Sequence, residues 1–199
     1  MKVFSLYIAL ILISSVNLMS WDRYIIEVDD YQLLHTSRQL MMTQVGLTEK
    51  TGKNDGAHIT AYMNSTGLSG KKQYPYCAAG QSWCLSRAAF ILQIAYPFSK
   101  RSAVANYYYE YAVKTGVLDT VSAVSIDDLI IWKHRTGRTG HIERIISTDK
   151  GIFTVGFNTS NGKSGSQREG NGIFIRKRNL KSPLGRMRLR GLVGFNVKR

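Results

Sequence analysis

Cys77 opens a run, Cys77-Ala78-Ala79-Gly80-Gln81-Ser82-Trp83-Cys84-Leu85, whose small and apolar residues read as the start of a buried helix. A thiol at a helix N-terminus faces backbone N–H groups that lack intrahelical acceptors, and the positive end of the helix dipole. Both favour the thiolate, the nucleophilic form of cysteine. Core packing is the competing reading, since a lone cysteine is most often simply buried. His141 supplies the complementary chemistry. It stands in Arg138-Thr139-Gly140-His141-Ile142, at the start of a strand-like run and just after a glycine that permits close approach. A cysteine at a helix start followed by a histidine on a later strand suits one reaction in particular. The imidazole takes the thiol proton and later returns it to a leaving amine. His134 is a weaker base candidate because it precedes the turn, and His35 and His58 fall on predicted helices where packing or surface roles suffice.

An imidazole used in this way needs a third group to hold its orientation. Asn158, after Ile152-Phe153-Thr154-Val155, offers an amide oxygen, with an ordinary turn asparagine as the alternative. Glu143 is the rival: two residues beyond His141 on a strand, it shares that residue's face and would orient the ring or meet substrate. Tyr74 and Tyr76, just before Cys77, line a substrate groove or pack against the helix start. Cys84 lies seven residues beyond Cys77, about two helical turns away and too far for a disulfide. No cluster of His, Cys, Asp and Glu has metal-ligand spacing, so neither a metal nor another cofactor is expected.

These residues must be positioned by the elements around them. Residues 30–46 read as an amphipathic helix from the spacing of Leu33, Leu34, Leu40, Met41 and Val45. Residues 48–56 are a loop, 57–65 a short helix, 77–95 a buried helix ending before Pro97, and 103–115 a helix stopped by Gly116. From about residue 121 the texture changes. Residues 129–132, 141–147, 151–156 and 172–176 are short runs rich in Ile, Val, Phe and Thr, separated by Gly, Asn, Ser and Lys, and they read as antiparallel strands. Residues 158–171 form a polar surface loop. The predicted fold is therefore α+β, with N-terminal helices packed on a C-terminal antiparallel sheet.

Taken in order, several blocks resemble the CHAP-type cell-wall amidohydrolases. They are Thr51-Gly52-Lys53-Asn54-Asp55-Gly56, Tyr74-Pro75-Tyr76-Cys77-Ala78-Ala79 with Ser82-Trp83-Cys84, and Asp128-Leu129-Ile130-Ile131-Trp132. Gly140-His141-Ile142, Asn158-Thr159-Ser160 and residues 164–170 continue the match. The resemblance covers roughly residues 30–180. It implies a papain-like fold related to the NlpC-type peptidases, with Cys77 as nucleophile, His141 as base and Asn158 as the third polar residue. It also implies hydrolysis of an amide bond in peptidoglycan, by endopeptidase or amidase action. The chain departs from the family pattern at four places. Gly80 stands where a bulky residue is frequent, and Asp127 where Gly usually precedes the Asp. Gly156-Phe157 replaces a common Glu-Gly before the Asn, and Glu143 replaces a frequent Gly after the His.

Met1-Lys2 followed by the apolar stretch from Val3 to Met19 has the order of a secretory signal. Residues 1–20 are read as that signal, with an uncleaved anchor or a buried helix as the competing readings. Residues 21–199 are read as one catalytic domain, secreted or periplasmic and monomeric. The 199-residue chain carries 27 Lys and Arg against 13 Asp and Glu, a formal charge of +14. Residues 151–199 hold eleven of these cations and one acid, Glu169. Arg186, Arg188 and Arg190 alternate with Met187, Leu189 and Gly191, which suits a strand with a basic outer face. Such a face is a solvated surface, or it docks on peptidoglycan, another anionic envelope polymer, or a membrane surface. Nucleic acid is not expected, because no zinc-finger or aromatic RNA-binding pattern accompanies the charge. A catalytically silent, basic wall- or membrane-binding module on the same fold is the alternative to an enzyme.

Overall fold

The computed structural model describes residues 21–119, 123–137, 139–162 and 170–198. The predicted export signal therefore lies outside the described residues, as do Lys163, Arg168, Glu169 and Arg199. The element order is β1 (Arg23–Val28), α1 (Tyr31–Met42), α2 (Ala57–Ser65), α3 (Cys77–Leu92), α4 (Ala105–Thr115), β2 (Val117–Asp119), β3 (Leu129–His134), β4 (Gly140–Ser147), β5 (Ile152–Thr159), β6 (Gly172–Arg178) and β7 (Met187–Val197). The architecture is α+β, as the sequence predicts. Among the described residues no helix is long and apolar enough to cross a membrane.

The seven strands form one sheet in the order β2-β1-β7-β3-β4-β5-β6. It is mixed, which corrects the expectation of an antiparallel sheet. β1 runs parallel to β7, from Arg23 opposite Leu192 to Val28 opposite Val197, and all other pairings are antiparallel. Sequence reading left residues 23–28 unassigned, although Tyr24, Ile25, Ile26 and Val28 are good strand formers. Six residues between an apolar leader and a helix give no period of their own. A tertiary tie holds this strand: Arg23 Nε and Nη2 donate to the two oxygens of buried Asp128, each at 2.8 Å, and Nη1 pairs with Asp119.

The helices start and stop for local reasons. Asp30 caps α1 by accepting the Gln32 N–H at 2.8 Å, an interaction worth roughly 1 kcal/mol. α3 ends at Leu92 because Gln93 turns left-handed, three residues short of the predicted end. Cys77, Ala78 and Leu85 of α3 pack with α4 on Leu129, Ile131, Ile142 and Val193 of the sheet. The opposite sheet face, with Ile130, Trp132, Ile145 and Leu192, packs with Leu180 and Leu184 from the β6–β7 segment and with Met187 at the start of β7. The basic face is smaller than the sequence suggests. Lys177, Lys181, Arg186 and Arg188 are exposed, but Arg190 turns to Asn106 and Glu110, and Arg178 turns to Glu143.

Candidate active site

Cys77 is the first residue of α3, preceded by Tyr76 in a non-helical conformation. The first intrahelical bond runs from the Gly80 N–H to the Tyr76 carbonyl at 2.9 Å. The Cys77 and Ala78 N–H groups lie ahead of it, where a helix has donors to spare. The thiol belongs to the packed core yet stays 5% exposed, and it lines a cleft of about 680 Å³. Tyr74, Pro75 and Leu68 form one side of this cleft, the start of α4 another, and Lys133, Thr139 and Gly140 a third.

His141 is completely buried on β4. Its Nε2 lies 3.1 Å from Glu143 Oε1, while Nδ1 makes no conventional hydrogen bond and is the nitrogen left for the Cys77 thiol. Burial alone would push this imidazole down. The Cys77 thiol and the Glu143 carboxylate beside it override burial and carry it up to about 9. Gly140, just before it, has no room for a side chain: an added Cβ would lie 2.5 Å from the Trp132 carbonyl oxygen and 3.0 Å from Asn106 Nδ2.

Glu143 is also fully buried, and its carboxylate is saturated. Arg178 Nε donates to Oε2 at 2.7 Å, Arg178 Nη2 pairs with Oε1, and Thr154 Oγ1 donates to Oε2 at 2.5 Å. Burial would raise this carboxyl, but Arg178 and His141 outweigh burial and hold it down at about 2. Thiol, imidazole, carboxylate and guanidinium thus form one line from the cleft floor into the protein.

Glu143, not Asn158, contacts the His141 imidazole. Asn158 is buried at the end of β5 with φ of 53°, and its Nδ2 donates to Asn54 Oδ1 at 2.8 Å and to the Gly170 carbonyl at 3.1 Å. Its role is to tie the 48–56 loop to the sheet, and its Oδ1 has no hydrogen-bond partner among the described residues. Glu143 is removed from the substrate-contact group by its complete burial. So is Tyr76, which is 0% exposed and packs against Tyr62 and Phe157 in a second core cluster. Tyr74 alone of the three proposed contacts lines the cleft, at 44% exposure. His134 ends β3 on the strand opposite, and the imidazole beside Cys77 is that of His141.

Glu143, Gly156, Phe157 and Gly80 are connected by the register and by packing. Glu143 lies directly opposite Gly156 across the β4–β5 pair. An added Cβ at 156 would sit 2.7 Å from Glu143 Oε1, so the carboxylate occupies space that Gly156 leaves open. Phe157 then faces the helix, where its ring fills the place of a Gly80 side chain. Asp127 has a φ of 78° that suits glycine, and its carboxylate is clamped by Arg38 and by Arg144 at 2.8 Å.

Arg178 and Thr154 were not singled out from the sequence. Arg178 lies inside the basic run Arg176-Lys177-Arg178, where nothing marks it as the one facing a buried acid. No family model, curated protein or solved structure gives a significant match to this chain.

Proposed function

We propose that the chain is an exported cysteine hydrolase that cleaves amide bonds in peptidoglycan, with Cys77 as nucleophile and His141 as proton carrier. The observation that carries this reading is the contact of Cys77 with a buried, carboxylate-held imidazole at the floor of an open cleft. Neither burial nor packing requires such a pair. The resemblance of the ordered sequence blocks to CHAP-type enzymes supplies the substrate class and the papain-like fold.

The chemistry follows from the geometry. The Cys77 thiolate attacks the carbonyl carbon of the amide, and the carbonyl oxygen gains negative charge. The Cys77 and Ala78 N–H groups at the start of α3 face that charge. The His141 imidazolium gives its proton to the amine nitrogen as the C–N bond breaks, leaving a thioester on Cys77. Neutral His141 then takes a proton from water as the hydroxide adds to the thioester, and the C–S bond breaks to release the acid and leave the Cys77 thiolate beside the His141 imidazolium. Glu143 is a positioning residue: it fixes the ring so that Nδ1 points to sulfur, and it stabilises the imidazolium.

Purified Cys77→Ala and His141→Ala proteins are each expected to release no fragments from peptidoglycan above background, read by fragment mass. Undiminished release by Cys77→Ala would remove the proposal and leave the silent, wall-binding module. The masses released by the wild type identify the scissile bond.

A further inference from the structure

The cleft above Cys77 is unevenly built. Part of its lining is apolar, made by Leu68, Tyr74, Pro75 and Val104. Leu68, Tyr74 and Val104 are among the large hydrophobic residues left exposed, at 39%, 44% and 52%. Large apolar side chains at a cleft rim have a purpose when a ligand covers them. The lining also carries two charges, Glu110 and Lys133. Glu110 is answered by Arg190 Nη1 at 3.2 Å. Lys133 has no ion pair and no side-chain hydrogen bond among the described residues.

Lys133 is also close to the chemistry. It pairs with Gly140 across the β3–β4 ladder, and paired residues lie on the same face of a sheet. Gly140 has no side chain to fill the space beside it, and Lys133 and Cys77 line the same cleft. The cleft therefore presents an apolar wall and one unbalanced ammonium near the scissile bond. An ion pair in such a place is less screened than one on an open surface.

We infer that the substrate is an acidic peptide amide, with an apolar portion against the Leu68–Tyr74–Val104 wall and a carboxylate that pairs with Lys133. This inference rests on the Cys77–His141 reading and adds to it a specificity residue. Lys133 binds substrate and takes no part in proton transfer.

The test compares two short peptides that differ only in ending with a free carboxylate or a carboxamide beyond an apolar residue. Wild-type enzyme is expected to favour the carboxylate by roughly 10–100-fold in kcat/KM, the size of one charge-assisted hydrogen bond, with the difference in KM. Lys133→Met, which keeps the aliphatic stem, should collapse this ratio towards one, and Lys133→Arg should restore most of it. The same pair is titrated calorimetrically against Cys77→Ala protein, where binding is read without turnover. Equal affinity for the two peptides, or a preference that survives Lys133→Met, overturns the inference. Cleavage of either peptide by Cys77→Ala would instead overturn the hydrolase reading.

Discussion

The two cysteines of α3 share one helix and differ in everything that surrounds them. Cys77 meets His141, whose far side is held by Glu143 and, behind it, Arg178. Cys84, two turns on, is fully buried beside a second charge network, in which Arg144 pairs with Asp127 at 2.8 Å and donates to Ser37 Oγ at 2.7 Å and the Leu34 carbonyl at 2.9 Å. Burial pushes the Cys84 thiol up to about 12, with the Arg144 charge only partly opposing it, so it stays protonated. Both networks bury a carboxylate against a guanidinium. One contains a titratable base and opens on a cleft. The other ends on backbone and a hydroxyl and joins α1 to the sheet. Buried charge alone does not set the two apart; a titratable base beside a thiol that lines a cleft does.

Neutralising the carboxylate of each network should separate these roles most sharply. Glu143→Gln removes the charge that holds the imidazolium and leaves Arg178 unpaired. Turnover should fall by about 100-fold or more, in the range for loss of an orienting carboxylate. Asp127→Asn leaves buried Arg144 without its counter-ion and should cost about 3–5 kcal/mol of stability. The protein that remains folded should still turn over near the wild-type rate. Denaturant midpoints and rates per folded molecule check both, and a large activity loss in Asp127→Asn would erase the distinction.

Acid–base titration of stability probes the Cys77 region next. The His141 imidazole rises from 6.5 to about 9 on folding. Its contribution is fully present below pH 6.5 and is lost as pH rises towards 9. Glu143 falls from 4.5 to about 2, so its contribution is present above pH 4.5 and is lost as pH falls towards 2. Each shift corresponds to on the order of 3 kcal/mol, shared between coupled partners. Unfolding midpoints of the wild type should therefore decline between pH 6.5 and 9, and those of His141→Gln much less. Parallel curves for the two proteins would mean that His141 is not an ion-pair member.

The sequence made the Cys77–His141 pair legible because both residues sit at element starts, where a helix N-terminus and a Gly-His step have local signatures. The four helices and most strands were legible from their periods. Glu143 was visible as a rival to Asn158 or a substrate contact, and choosing between these needs the burial and the β4–β5 register that set Glu143 against Gly156. Arg178 was invisible, since a strand arginine that faces inward has the same neighbours in sequence as one that faces out. β1 was missed for the same kind of reason. Its position comes from a parallel partner some 170 residues away and from the Arg23–Asp128 tie. Long-range pairing decided each of these, and no local period encodes it.

The smallest expected effect comes from Cys84→Ala. The substitution deletes one buried sulfur, packed with Tyr62, Met63, Phe157 and neighbouring core residues, and removes no hydrogen-bonded partner. A cost of roughly 1–2 kcal/mol is expected, at the lower end of buried large-to-small changes. Turnover per folded molecule should not change. Thiol alkylation at neutral pH supplies the matching chemical readout. Wild type should lose one thiol quickly and the second only on unfolding, whereas native Cys84→Ala should lose its single thiol at the fast wild-type rate. Native Cys77→Ala should resist the reagent. If Cys84 reacted as fast as Cys77, or if Cys84→Ala lost activity along with stability, the two ends of α3 would have to be treated as one site. The Arg144–Asp127 network would then belong to the chemistry.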